Sequence, residues 1–340
     1  MAAHTCAIPV ALTIMASALC PGMVLAQAPS TAPAQSLSKD SGQGFPTRPI
    51  RVLVGFTPGA GVDIAVRLVT PKMSETLGQS IIVDNRPGAG GNIASELVAR
   101  APADGYTLLA NGAPAAISQT LYSKLSYDLL KDFEAVALIA SVSQILTIHP
   151  SLPAKTTKDF VTFAKSRRDE LTYATTGSGS TPHLTAEMFR MLSGIKMLHI
   201  PYKGTPLALN DLIAGNVTFM FVNILTVMQH VNSGRLRGLA ITSAKRSTIA
   251  PQLPTVAETY PGFESGTWFA LFAPTGTPKD AVARIHEAVT RATQAPDVRD
   301  KFIAQGAELL SGTPQDAMAY TRAEVSKWAK VVKASGARVD

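Results

Sequence analysis

The strongest limit on the fold lies between Ile50 and Ala110. Ile50 to Phe56 is a short β-branched run. It breaks on Pro58, Gly59 and Gly61, then takes up helical spacing from Gly61 to Leu77, with Ile64, Leu68 and Val69 inward. Pro71 within that stretch predicts a kink or a restart, since proline removes a backbone donor. Ser80–Val83 reads as strand, "NRPGAGG" as loop, Asn92–Ala99 as helix, Asp104-Gly105 as a turn and Tyr106–Ala110 as strand. This β-α-β-α-β order predicts a parallel sheet flanked by helices, because parallel neighbours require a crossover connection.

Ala135–His149 follows as a long apolar run that stops at Pro150. A second alternating set begins there. Thr156–Lys165, Pro182–Leu192, Leu207–Ala214 and Val227–Ser233 have helical spacing; Leu171–Ala174, Lys196–Ile200, Val217–Val222 and Leu236–Ile241 read as strands. Trp268–Ala273 reads as a further strand, and Lys279–Thr293, Pro296–Gln305 and Pro314–Lys333 as helices. Two α/β units fit a chain of 340 residues.

Met1–Ala26 contains no Asp, Glu, Lys or Arg, and Ile8–Leu19 is an apolar run too short to span a bilayer comfortably. Val24-Leu25-Ala26 supplies the small residues of a signal-peptidase site, so residues 1–26 are expected to be a signal peptide and the mature chain to be periplasmic. A lipoprotein reading at Cys20 is weaker, because Leu19 stands where Gly or Ala is expected. Both cysteines, Cys6 and Cys20, fall in this leader, which excludes disulfide and thiol chemistry from the expected mature chain. Residues 27–45, rich in Ala, Pro, Ser and Gln, read as a disordered tether. The net charge of +7 is dispersed and only 6% of residues are aromatic, which argues against nucleic-acid binding and leaves a mild attraction for anions.

Three glycine-bearing loops follow strands and precede helices: Thr57–Asp63, Thr176–His183 and Pro201–Thr205. A helix start offers unpaired N–H groups and the positive end of a dipole, and glycine lets a ligand approach the backbone. In "TTGSGSTPHL", Ser178, Ser180 and Thr181 add hydroxyls. Each loop is also readable as an ordinary strand-to-helix turn. Enzyme signatures are poor by comparison. "GAGGNIA" at 88–94 has Ile93 where a dinucleotide fingerprint has its third glycine. Ser193 and Lys196 have Ser-x-x-Lys spacing at a helix end rather than a start. The histidines are scattered, and His183 with Glu187 suits capping or packing better than a metal. No metal site and no cofactor are expected. The local candidates for a hydrolase are Ser178 or Ser180 with His183.

The blocks "RPIRVLVGFTPGAGVDIAVRLV", "LGQSIIVDNRPGAGGNIASELVARAPADGYTLL", "HLTAEMFRMLSG", "IPYKGTPLALNDLIAGNVTFMFVN", "GRLRGLAITSAKR" and "LPTVAE" resemble, in content and order, those of the Bug proteins. These are the extracytoplasmic solute receptors of tripartite tricarboxylate transporters. The resemblance covers about residues 46–335. It implies an α/β periplasmic binding protein fold of the two-domain Venus flytrap kind, type II-like, with a central cleft and a hinge. Domain 1 would comprise residues 46–148 and 268–340, and domain 2 residues 149–267. It also implies a non-catalytic monomer that captures a small organic acid and delivers it to the membrane permease subunits. An orphan receptor feeding a sensor kinase is the other receptor reading.

The implied ligand contacts are Phe56, Thr57, Gly59, Ala60 and Asp63 on the first loop. On the second they are Thr176, Gly177, Ser178, Gly179, Ser180, Thr181 and His183. Tyr202 and Lys203 of "PYKG" would approach the cleft, and Asn223 would face it. Val62, Ala60 and "NGAPAAISQ" at 111–119 depart from the family pattern and bear on substrate identity more than on fold. Asp63 would repel a dicarboxylate unless water intervened, or accept from a ligand amine or amide; it also reads simply as a helix N-terminal acid.

Overall fold

A computed structural model describes residues 44–339. The expected leader and all but the last two residues of the expected tether lie outside the described residues. The chain runs β1 (Ile50–Val54), α1 (Gly61–Leu77), β2 (Ile81–Asn85), α2 (Asn92–Ala99), β3 (Thr107–Gly112), α3 (Ala113–Leu121) and β4 (Phe133–Ile148). It continues through α4 (Thr157–Ser166), β5 (Leu171–Thr175), α5 (Thr181–Ser193), β6 (Met197–Pro201), α6 (Thr205–Ala214), β7 (Phe219–Asn223), α7 (Ile224–Asn232) and β8 (Arg237–Ile241). It closes with β9 (Gly266–Pro274), α8 (Lys279–Gln294), α9 (Pro296–Ala304), β10 (Ala307–Leu309) and α10 (Pro314–Ser335). Among the described residues no helix is long and apolar enough to cross a membrane.

The strands lie in the order β2-β1-β3-β9-β4-β7-β5-β6, and β10 and β8 also pair with β4. As expected, β1 is parallel to β2 and β3, and β5 is parallel to β6 and β7. The apolar run before Pro150 is β4, which changes partners midway. Phe133–Ser143 pairs antiparallel with β9, and Ala140–Val142 also with β10. Gln144–Ile148 pairs antiparallel with β7, and Ile145–Ile148 with β8. Backbone pairing and cover on both faces explain why every residue of this strand but Glu134 and Ser141 is buried, most of them apolar.

This change of partners positions the cleft. β3 opposes β9 and β9 opposes β4, so the first part of β4 runs the same way as β1–β3. The second part opposes β7, and therefore β5 and β6. The carboxyl ends of both parallel groups thus point at the middle of β4. Gly112, the last residue of β3, lies opposite Phe269, which lies opposite Ala140; Asn223, the last of β7, lies opposite Gln144. Four residues of strand separate these points, about 13 Å.

Two apolar cores cover the faces of the strand network. Residues of β1 alternate between them: Val52 and Val54 enter one with α1 and α8, and Leu53 enters the other with α2, α3 and α10. Glu324 of α10, buried in the second, accepts from the indole N–H groups of Trp268 and Trp328, each at 2.9 Å, and ion-pairs with Lys327.

Three features differ from the sequence reading. α1 continues unbroken through Pro71, because Val66, Val69 and Met73 anchor it in the core on both sides of the missing donor. Its buried stripe is Val62, Ala65, Val66, Val69 and Met73, which leaves Ile64 and Leu68 half-buried on another side. The segment 111–119, to which the sequence reading assigned no helix, is mostly α3. Pro114 sits in its first turn, where no N–H is needed, so it starts the helix instead of breaking one. Replacing Glu324 by Leu leaves two buried indole donors without an acceptor, each worth about 1–3 kcal/mol. The expected result is a lower urea midpoint with an unchanged m-value, and a smaller loss for Glu324→Gln, which keeps an acceptor oxygen.

Candidate ligand-binding cleft

The first loop is held from behind by Asp63. Its Oδ2 accepts from the Gly59 N–H at 2.9 Å; its Oδ1 accepts from Arg67 Nε and Asn85 Nδ2, both at 2.9 Å. Asn85 Nδ2 also donates to the Phe56 carbonyl at 2.9 Å. Gly59 supplies the positive φ, +84°, that the turn requires. Burial alone would raise the Asp63 pKa, but the donors from Gly59, Asn85 and Arg67 outweigh it and hold the carboxyl below its ordinary value. The side chain faces into the protein.

The second loop rests on a histidine stack. The Gly179 N–H donates to His183 Nδ1 at 3.0 Å, and the rings of His183 and His199 stack at 4.2 Å. His199 Nε2 and Thr175 Oγ1 lie 2.6 Å apart, and Thr175 Oγ1 accepts from the Gly177 N–H at 3.2 Å. Tyr173 stacks on both histidines and donates its hydroxyl proton to Glu187 at 2.7 Å. Burial first, and then the neighbouring His199, push His183 down to about 4. Ser180 Oγ donates to the Gly177 carbonyl at 2.6 Å. Among the described residues no hydrogen bond links His183 to Ser178 or Ser180, and Glu187 is engaged by Tyr173 and Arg190. The geometry of a serine nucleophile with a histidine base is not assembled.

Two adjoining cavities of about 460 and 480 Å³ open between these loops and share Phe56, Pro114, Val142, Asn223 and Thr267. The first chamber is lined by Thr176, Ser178, Gly179, Ser180 and Thr181 at the start of α5, by Thr205 at the start of α6, and by Gln144. The second is lined by Gly59–Ile64 without Asp63, by Leu68, and by Phe302, Gln305 and Ala307 from α9 and β10. First-turn or cap residues of α1, α3, α5, α6 and α7 therefore meet in one place. No side chain caps α1, α3, α5 or α6. Among the described residues no charged side chain lines either chamber. A third cavity, about 750 Å³, lies apart from the loops between the start of β4, α8 and α10.

Of the residues expected at the site, Phe56, Gly59, Ala60, Thr176, Ser178, Gly179, Ser180, Thr181 and Asn223 line the chambers. Thr57, Asp63, Gly177, His183, Tyr202 and Lys203 do not. Gly177 and His183 support the second loop, and Asp63 supports the first. Tyr202 donates to Asp211 at 2.6 Å; burial and that carboxylate push its pKa up to about 12. Asn223 caps α7, its Oδ1 accepting from the Leu225 N–H at 3.0 Å. Gln144 was not anticipated. It is 5% exposed, and its Oε1 has no hydrogen-bond partner among the described residues. It lies inside a mostly apolar run, where neither glycine nor spacing marks it; an amide side chain in the middle of a buried strand is the only signal.

His183 Nδ1 must stay unprotonated to accept from Gly179. The unfolded chain takes up the proton near 6.5 and the folded one only near 4, so stability is complete above 6.5 and falls as the pH drops from there to about 4. His199, also lowered mainly by burial, acts in the same direction. Thermal melts across this window are expected to show that fall, and His183→Gln to flatten it.

A family model described as "Tripartite tricarboxylate transporter family receptor" matches residues 65–337. Protein BugT of Bordetella pertussis is 36% identical, with 88% of this chain and 93% of BugT covered. The structure of the periplasmic binding protein BugD is 33% identical with a TM-score of 0.69, covering 86% of this chain and 99% of BugD. That of R. palustris Rpa4515 with adipate is 37% identical with a TM-score of 0.72, covering 87% of this chain and 100% of the other. Together with the two strand groups facing one cleft, these matches show that the chain belongs to the tripartite tricarboxylate transporter receptor family and has the two-domain periplasmic binding protein fold.

Proposed function

We propose that the protein is an extracytoplasmic solute receptor. It closes as a monomer around a small carboxylate in the interdomain cleft and delivers it to a tripartite tricarboxylate-type permease, without catalysis. The observation that carries this reading is the meeting of five helix starts around two chambers whose walls, among the described residues, hold no charged side chain. A carboxylate there is met by main-chain N–H groups and by the hydroxyls of Ser178 and Thr181. These donors are fixed in place and act in a medium of lower dielectric than water. Rpa4515, which is similar over most of this chain, was solved with adipate.

In this reading the lobes are residues 46–148 with 268–340, and 149–267. The pivot lies where β4 exchanges β9 for β7, between Ser143 and Gln144. The return crossing is anchored there too. Thr242 Oγ1 accepts from the Gln144 N–H at 2.8 Å, and the Ser265 N–H donates to the Thr242 carbonyl at 3.0 Å. Thr185 of α5 hydrogen-bonds to Ser265 at 2.5 Å, which ties the ligand-facing helix to this crossing. Closure then links occupancy of the cleft to the relative position of the lobes.

The test is a thermal-shift screen of mono-, di- and tricarboxylates. A ligand at about 100 times its Kd stabilises by about 2.7 kcal/mol and raises Tm by several degrees. Ser178→Ala and Thr181→Val are each expected to weaken the best ligand about tenfold, one hydrogen bond to a charged group. Mass spectrometry should recover that ligand unchanged after incubation. Conversion to product, or no response to any carboxylate, overturns the proposal.

A further inference from the structure

We propose that the solute of this receptor carries a single anionic head on an extended apolar body. The head is held in the first chamber at the start of α5, and the body lies in the second chamber beside α1. This rests on the receptor reading above and names the class of ligand within it.

The two chambers are unequal for a charge. The first turn of α5 contains no acidic residue, and Ser178, Ser180 and Thr181 surround its start. Gln144, nine-tenths buried with an unpartnered amide oxygen, faces the same space. A carboxylate that also carries a hydroxyl or amide donor satisfies both groups. The start of α1 is different. Asp63 sits in its first turn, and its carboxylate already takes the Gly59 N–H at 2.9 Å. The Gly59 amide is occupied, as those of Gly177 and Gly179 are on the second loop, but here the acceptor is a carboxylate, which places a negative charge behind the loop. Arg67, which partners Asp63 at 2.9 Å, is half-exposed and lines neither chamber.

The second chamber is walled by Ile64, Leu68, Leu225, Phe269 and Phe302. Ile64 and Leu68 are α1 side chains outside the buried stripe, and both line this space, Leu68 while also packing on the core. The polar groups here are the neutral side chains of Asn223, Thr226, Thr267 and Gln305. Among the described residues neither chamber is lined by a cation, so what sets this one against a second carboxylate is the Asp63 carboxylate behind its loop together with its apolar walls. A methylene chain or an aromatic ring finds contact on several sides. The chamber's volume of about 480 Å³ is that of a small-molecule site in its own right. Phe56, Pro114, Val142, Asn223 and Thr267 border both spaces, so the chambers adjoin and one extended ligand can occupy both.

The test is calorimetric titration of the full mature chain with straight-chain monocarboxylates from butyrate to octanoate, with 3-phenylpropionate, and with succinate and adipate. Affinity is expected to rise roughly fourfold per added methylene until the chamber is filled. Hexanoate should bind more tightly than adipate, its six-carbon counterpart. The ratio of octanoate to butyrate affinity should shrink at least fivefold in Leu225→Asn, at an exposed position that tolerates the change, and likewise in Ile64→Ser. Adipate or succinate binding more tightly than hexanoate overturns the apolar-body assignment and leaves the receptor reading standing. So does a flat monocarboxylate series. A chain-length gain that persists in both variants places the tail elsewhere and also overturns it. Silence from every carboxylate removes the receptor reading, and this inference with it.

Discussion

The architecture depends on one strand that belongs to two groups at once. β4 is apolar for most of its length, and its backbone is paired on both sides across its second half. Its direction agrees with β1–β3 in its first part and opposes β5–β7 in its second. Two parallel groups joined in this way must aim their carboxyl ends at the join. The loops that follow those ends then face one another with no further instruction from their own sequences. A ligand crevice at strand carboxyl ends is the general rule for open α/β sheets, and β4 builds it twice and superimposes the two.

Within that frame the polar residues divide into those that offer bonds and those that hold the offering groups still. Asp63, Asn85 and Arg67 hold the first loop, and His183, His199 and Thr175 hold the second. Neither set lines the chambers. Their work is preorganisation: backbone amides constrained before binding lose little freedom when a ligand arrives. The buried histidine pair is compatible with this only while neutral, because a proton on His183 Nδ1 would displace Gly179 and place charge against its neighbour.

Much of this was legible in the chain, for identifiable reasons. Strands and helices of the alternating units follow from apolar spacing and glycine punctuation, and the loops at Phe56–Ala60 and Thr176–Thr181 follow from their place between them. α3 was hidden because Asn111, Gly112 and Pro114 are turn residues that here open a helix. β10 was hidden because three residues carry no periodicity; pairing with β4 makes them a strand. At the site, the sequence marks Asp63 and His183 as chemically able but not which way they turn. Gln144, Phe302 and Ala307 reach the cleft only through strand pairing and the long return of the chain.

An anchor made of main-chain amides has a consequence for how such a receptor changes over time. The N–H groups at the start of α5 belong to the peptide bonds themselves, so among single substitutions only a change to proline deletes one. The walls of the second chamber are ordinary apolar side chains, each replaceable singly. In the proposed reading, capture and discrimination are therefore written in separate parts of the molecule, and new specificities are within reach of a few substitutions that leave the grip on the anion as it was.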